Sequence, residues 1–241
     1  ACVWVASLPR WAGNVVSMNK GAAAAADEPE LRTVDGRVPG RRGRETRRKL
    51  LEVTAEMLRT RSYREIAVVD IARESGVSPA TFYQYFPDVE TAIFFIADRI
   101  AEDGNRRLSE LVEAIDIDGD CAAGADALAL GFLELWREYR SILRILDLGA
   151  AERDDRFQQR RTELLAGPTE ALQTAIAGRQ ASGRLTHEID PAAFAAVLTA
   201  MLSHVAAHRS GLRAWGVSQD DLVAAMSRVS TMSLTDRAPS T

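Results

Sequence analysis

Apolar positions recur at helical spacing along most of the chain from residue 45 onward, and no stretch keeps the alternation of a half-buried strand. Glu45 to Arg59 carries Leu50, Val53, Met57 and Leu58 near that spacing, and Ile66 to Ser75 puts Val68, Ile71 and Ala72 on one face. Gly76 suits the left-handed C-terminus of the second pattern. Ser78 is a good N-cap for the next, with Pro79 at the first helical position, where its missing donor costs nothing. The short helix this predicts runs to Phe86 and turns Phe82 and Phe86, four residues apart, inward. Helix, glycine turn and second helix form the helix-turn-helix layout, whose second helix enters the major groove. The hydroxyl and amide groups of Thr81, Tyr83, Gln84 and Tyr85 point elsewhere on that helix and suit phosphates and base edges.

Beyond Pro87 the pattern stays helical. Ala92, Ile93, Ile96, Ile100, Leu108 and Leu111 continue one apolar side of a long helix, and Asp116 to Gly124 is a polar break. Two shorter helices follow, Ala125 to Trp136 and Tyr139 to Leu148, then a long one from about Phe157 to Ala181 with a kink expected at Gly167-Pro168. Asp190-Pro191 opens the next, to about Ser210, and Ser218 caps the last, through Met232. The expected fold is all-α: a three-helix head and a larger helical domain. The boundaries are read as an arm over 1–43, the head over 44–90, the helical domain over 91–235 and a tail over 236–241.

Charge sharpens this picture. The chain has a formal net charge of −4, yet between Arg37 and Arg64 there are ten basic residues against Glu45, Glu52 and Glu56. Beside a helix-turn-helix this run reads as a phosphate-binding arm, with Arg41, Arg42 and Arg44 placed to follow the backbone or enter a minor groove, and Arg47 continuing the run. Two cysteines, Cys2 and Cys121, offer no disulfide framework or multi-cysteine zinc site and fit a reducing cytoplasm. The opening stretch has no basic n-region, Pro9 and Arg10 interrupt it, and no membrane span or secretory signal is expected there. Met18 is the first methionine, which leaves open whether residues 1–17 belong to the working protein. Gly21 to Glu30 and Val34 to Gly43 are read as disordered.

The order AEMLRTRSYREIAV, DIARESGVSPATFYQYF and PDVETAIFFIADRI, over roughly residues 44–100, resembles the tetracycline-repressor (TetR) family of bacterial transcription regulators. The resemblance implies that Ser78, Pro79, Ala80, Thr81, Tyr83, Gln84 and Tyr85 meet double-stranded DNA. Val89 stands where the family usually has a phosphate-binding Lys, and Ala67 and Val69 where Thr and Arg are usual.

The resemblance also implies a dimer through the last two helices and a mostly apolar ligand pocket. The two helices carry Ala192, Ala193, Ala196, Val197 and Ala200 in one and Leu222, Val223, Met226 and Val229 in the other, enough apolar surface to need cover on more than one side. Candidate ligand-wall residues are Phe94, Phe132, Leu133, Trp136, Leu143 and Phe157, with Leu165, Met201, His208 and Trp215, each equally readable as plain core. His204 and Arg140 are the candidate polar anchors. An enzyme is not expected: His204 and His208 have the i,i+4 spacing of two metal ligands, but Val205 replaces the glutamate of a zinc-protease helix, and no phosphate loop is present. No cofactor or metal is assigned. The expected function is a cytoplasmic, dimeric repressor released from a palindromic operator by a hydrophobic small molecule. The alternatives are an activator or ligand-independent regulator, and a helical ligand-binding or interaction protein with weakened DNA binding.

Overall fold

The computed structural model describes residues 32–185 and 189–235, and among these the regular structure is helical, ten α-helices and one 3-10 turn. Gly21 to Glu30, His187-Glu188 and the expected tail lie outside the described residues. The chain divides into two units, one through residue 96 and one from residue 97, with the division inside a single helix rather than at residue 90.

In the first unit, α1 (Arg41–Thr60) packs on α2 (Val68–Ser75), which packs on α3 (Pro79–Tyr85); α4 (Val89–Glu113) begins here. Leu50, Ile71, Phe82, Phe86 and Ile93 are fully buried at 0% exposure. The ring centroids of Phe82 and Phe86 lie 5.5 Å apart, and those of Phe86 and Phe95 5.7 Å. Burial of these rings is the main term holding so short a helix as α3, since seven residues alone do not sustain helix in water. Asp88 caps the start of α4: its Oδ1 accepts from the Thr91 amide at 2.6 Å.

Ahead of α1, residues 32–40 fold as a turn against this unit, where the sequence pattern led us to expect disorder to residue 43. The Thr33 amide donates to the Arg37 carbonyl at 2.9 Å, Gly36 takes φ 81°, and Pro39 is buried.

The second unit contains α5 (Cys121–Glu138), α6 (Arg140–Ala151), α7 (Asp155–Glu163), α8 (Ala166–Ala181), α9 (Pro191–Ala214) and α10 (Gln219–Thr235). Helix α5 packs against α9 and α10, α8 against α9, and α6 against α7. Its core includes Leu108, Leu128, Phe132, Leu146, Leu164 and Ile176. The single kinked helix expected over 157–181 is two helices. Pro168 has no amide and its ring excludes the Leu164 carbonyl, so the ladder cannot run through, and the chain breaks at Leu164-Leu165. Asn105 of α4 bridges the break: its Nδ2 donates to the Glu163 carbonyl at 2.7 Å, and its Oδ1 accepts from the Gly167 amide at 2.9 Å.

Candidate nucleic-acid interface

The turn into α3 is built by three residues. Gly76 sits at φ 71°, ψ 30°, the left-handed conformation that closes α2, with its amide on the Ala72 and Arg73 carbonyls. Ser78 Oγ accepts from the Thr81 amide at 3.2 Å and lies 2.9 Å from Thr81 Oγ1, so these two hydroxyls serve each other as the cap. Pro79 and Ala80 are exposed on the first turn, as the DNA reading requires. With Phe82 locked inside, Tyr83 stands 52% exposed, edge-on to Phe82 at 5.9 Å, and Gln84 is exposed beside it. Tyr85 is half-buried; a Cβ added at Gly43 would lie 3.1 Å from its hydroxyl.

Arg41, Arg42 and Arg44 are exposed at the start of α1, although Arg44 also donates to the Pro39 carbonyl at 2.9 Å. Arg47 is placed differently from the surface contact expected of it. It is 8% exposed, with its guanidinium carbon 4.3 Å from the Phe95 ring centroid and 5.2 Å from that of Phe86. There it stacks α1 onto the aromatic core, a use of arginine that the charge run hides. Lys49, absent from the expected contacts, reaches the Gly76 turn: its Nζ lies 3.8 Å from where a Cβ at Gly76 would stand. The starts of α2 and α4 present no cation, only Ala67, Val68 and a 56% exposed Val69 in one and Asp88, Val89 and Glu90 in the other.

The expected ligand residues divide. Phe132, Leu133, Trp136, Leu143 and Phe157 are each buried in the second unit, with Phe132 stacked on Trp136 at 5.9 Å. The Trp136 Nε1 is buried without a hydrogen-bond partner. Phe94 is buried on the first-unit side of the division, and Leu165 and Met201 are half-buried. Both candidate anchors, Arg140 and His204, are exposed, as are His208 and the 81% exposed Trp215. The His204 and His208 rings stack at 4.1 Å on the outer face of α9, since the residues of that helix turned inward are Leu198, Leu202 and Ala206. Among the described residues no group of three or more potential metal ligands comes together. A groove of about 320 Å³, lined by Arg107, Leu108, Leu111, Gly131, Glu134 and Leu135, involves none of the expected ligand residues.

Near this groove lies a polar cluster that the periodicity did not reveal. Arg107 pairs with Asp103 at 3.2 Å and Glu138 at 3.0 Å, and the Tyr139 hydroxyl donates to Asp103 Oδ2 at 3.1 Å. Burial, then the nearby Glu138 and Asp103 carboxylates, push the Tyr139 phenol well above its ordinary range. The Cys121 thiol is also raised by burial, which keeps it protonated and poorly nucleophilic.

The family model described as the tetracyclin repressor-like C-terminal domain matches residues 108–241, more than half of the chain, and that of bacterial regulatory proteins of the tetR family matches residues 50–90. The chain belongs to the TetR family. Relatives of this TetR-family chain include the HTH-type transcriptional regulator EthR of Mycolicibacterium smegmatis, 31% identical over 90 residues. EthR of Mycobacterium tuberculosis is 33% identical over 97 residues. These matches cover 37% and 40% of this chain and span only 42% and 43% of the relatives. Among solved structures, a Rhodococcus sp. RHA1 protein of unknown function superimposes with TM-score 0.62 at 21% identity, covering 79% of this chain and 95% of that one. The fatty acid degradation regulator FadR of Bacillus halodurans does so with TM-score 0.60 at 16% identity, covering 82% and 97%. At these identities the structures establish the all-α TetR-like fold.

Proposed function

We propose that this protein is a sequence-specific DNA-binding transcriptional regulator, a homodimeric repressor that an apolar small molecule releases from a palindromic operator in the cytoplasm. The observation that carries the DNA reading is the presentation of α3. Its cap is internal, Phe82 within it and Phe86 just after it are fully buried, and Tyr83 and Gln84 are left outward on a helix whose orientation the core sets. An amide that can pair with adenine and a phenol that can reach a phosphate are suitable groups for a major-groove helix.

Dimerisation is supported by the outer faces of α9 and α10, where Val197, Val229 and Met232 are 63%, 44% and 56% exposed. Helix α9 is long and apolar enough to cross a membrane by length and composition, with 33% of its apolar window buried. A second copy is the cover we assign to that face, and two heads on a two-fold axis read a palindrome.

The ligand reading rests on the aromatic group around Trp136. An indole N–H buried without an acceptor costs roughly 1–3 kcal/mol, which a ligand oxygen on that atom would recover. Trp136 therefore replaces Arg140 and His204 as the proposed polar anchor. Such a ligand lowers DNA affinity only as far as it favours the conformer that fits DNA poorly.

Selection of the purified chain against a pool of random duplexes tests the reading. Enrichment of a two-fold-symmetric sequence is the expected result. Retention of DNA with no enriched motif, or no retention, would favour the helical interaction protein to which the cation-free starts of α2 and α4 point.

A further inference from the structure

We infer that residues 32–38 are a DNA-contacting arm, carried preset on the reading helix, with Arg32 and Arg37 placed to meet the sugar-phosphate backbone flanking each half-site. This rests on the DNA-binding reading above and extends it to a segment outside the helix-turn-helix.

The arm is fastened at two points. The Val34 amide donates to the Gln84 carbonyl at 2.9 Å, and that carbonyl belongs to the last turn of α3, where the helix supplies no N–H donor of its own. Five residues later Pro39 is buried, and its carbonyl accepts from Arg44 at 2.9 Å. Gly43 allows this approach: a Cβ there would stand 2.7 Å from Pro39 Cβ.

Between the two points the chain is a closed turn. Gly36 donates to the Thr33 carbonyl at 2.8 Å, Thr33 Oγ1 donates to the Arg37 carbonyl at 3.0 Å, and Arg32 donates to the Gly36 carbonyl at 3.0 Å. A segment ordered before binding gives up less entropy when it meets its partner.

Charge identifies that partner. The starts of α2 and α4 offer no positive side chain, whereas the arm and the start of α1 together present Arg32, Arg37, Arg41, Arg42 and Arg44, all exposed. The Arg37 side chain is 85% exposed, and its 3.2 Å contact with a 57% exposed Asp35 is a surface pair that phosphate can displace at little cost. The arm carries no aromatic side chain, only the short exposed Val34 and Val38 beside its arginines, and we assign those arginines to the backbone rather than to base edges.

The test uses the full chain, the duplex enriched by selection and a salt series, comparing wild type with Arg32→Ala/Arg37→Ala, Arg32→Lys/Arg37→Lys and Arg144→Ala. Arg144 is exposed on α6 and serves as the control. Loss of two phosphate contacts lowers the slope of log Kd against log salt by about 2 and weakens binding roughly tenfold near 0.1 M salt, with base preferences unchanged. The lysine pair restores most of the slope and the control matches wild type. Specific wild-type binding with an unchanged slope in the alanine pair would overturn the arm and leave the regulator standing. A changed base preference would overturn the backbone assignment, and wild type without specific binding would overturn both readings.

Discussion

Arg47 shows how far a residue's role departs from its charge. In the sequence it is one of a basic run; in the fold it stacks on Phe95 and Phe86. Arg47→Ala is expected to destabilise the first unit by about 2 kcal/mol through lost packing and cation-π contact, with Arg47→Lys recovering only part of it. Urea unfolding checks this; a loss equal to that of an exposed arginine such as Arg42 would contradict it. Tyr139 gives a pH dependence. Its phenol is held above the ordinary value of 10.0, so the folded state keeps a proton that the unfolded state releases. The stability it contributes is full below pH 10 and declines as pH rises above that value. The unfolding midpoint of wild type is expected to fall more steeply across that range than that of Tyr139→Phe, and parallel curves would refute the assignment.

At the scale of elements, what is legible in the sequence is what is encoded locally. Gly76, Ser78 and Pro79 mark the turn because each acts within four residues of itself, and the inward phenylalanines follow from their spacing. The break between α7 and α8 has a local cause in Pro168, but its shape depends on Asn105, 58 and 62 residues away from its two partners. That bridge is invisible to periodicity. Asn105→Ala leaves a helix end and a helix start unsatisfied and is expected to cost about 1–3 kcal/mol, read from the thermal midpoint. The close approach of α6 and α7 has a similar origin: a Cβ at Gly149 would stand 2.3 Å from the Phe157 ring. Gly149→Ala should therefore destabilise by about 1–3 kcal/mol despite its better helix propensity, and a stabilised variant would show that the ring moves freely. The arm over 32–40 escaped a reading by composition because one amide and one buried proline hold it. The exposure of Arg140 and His204 was not legible for a related reason: helical spacing gives a residue's face, while its neighbours come from other helices.

At the scale of the whole molecule, the proposed function calls for two copies acting together. The apolar outer faces of α9 and α10 lead us to expect a dimer in sedimentation, and Val197→Asp with Val229→Asp to shift it toward monomer. If the pair stays dimeric, that face is not the interface. A monomeric variant should also lose operator affinity well beyond twofold, since it forfeits the second half-site.

The central claim is that α3 reads bases. Its most direct test is equilibrium binding of Gln84→Ala and wild type to a set of operators substituted one base pair at a time. Gln84→Ala is expected to lose about 1–3 kcal/mol of discrimination at one position in each half-site while the salt slope is unchanged. A uniform loss across all operators, or none, would contradict it.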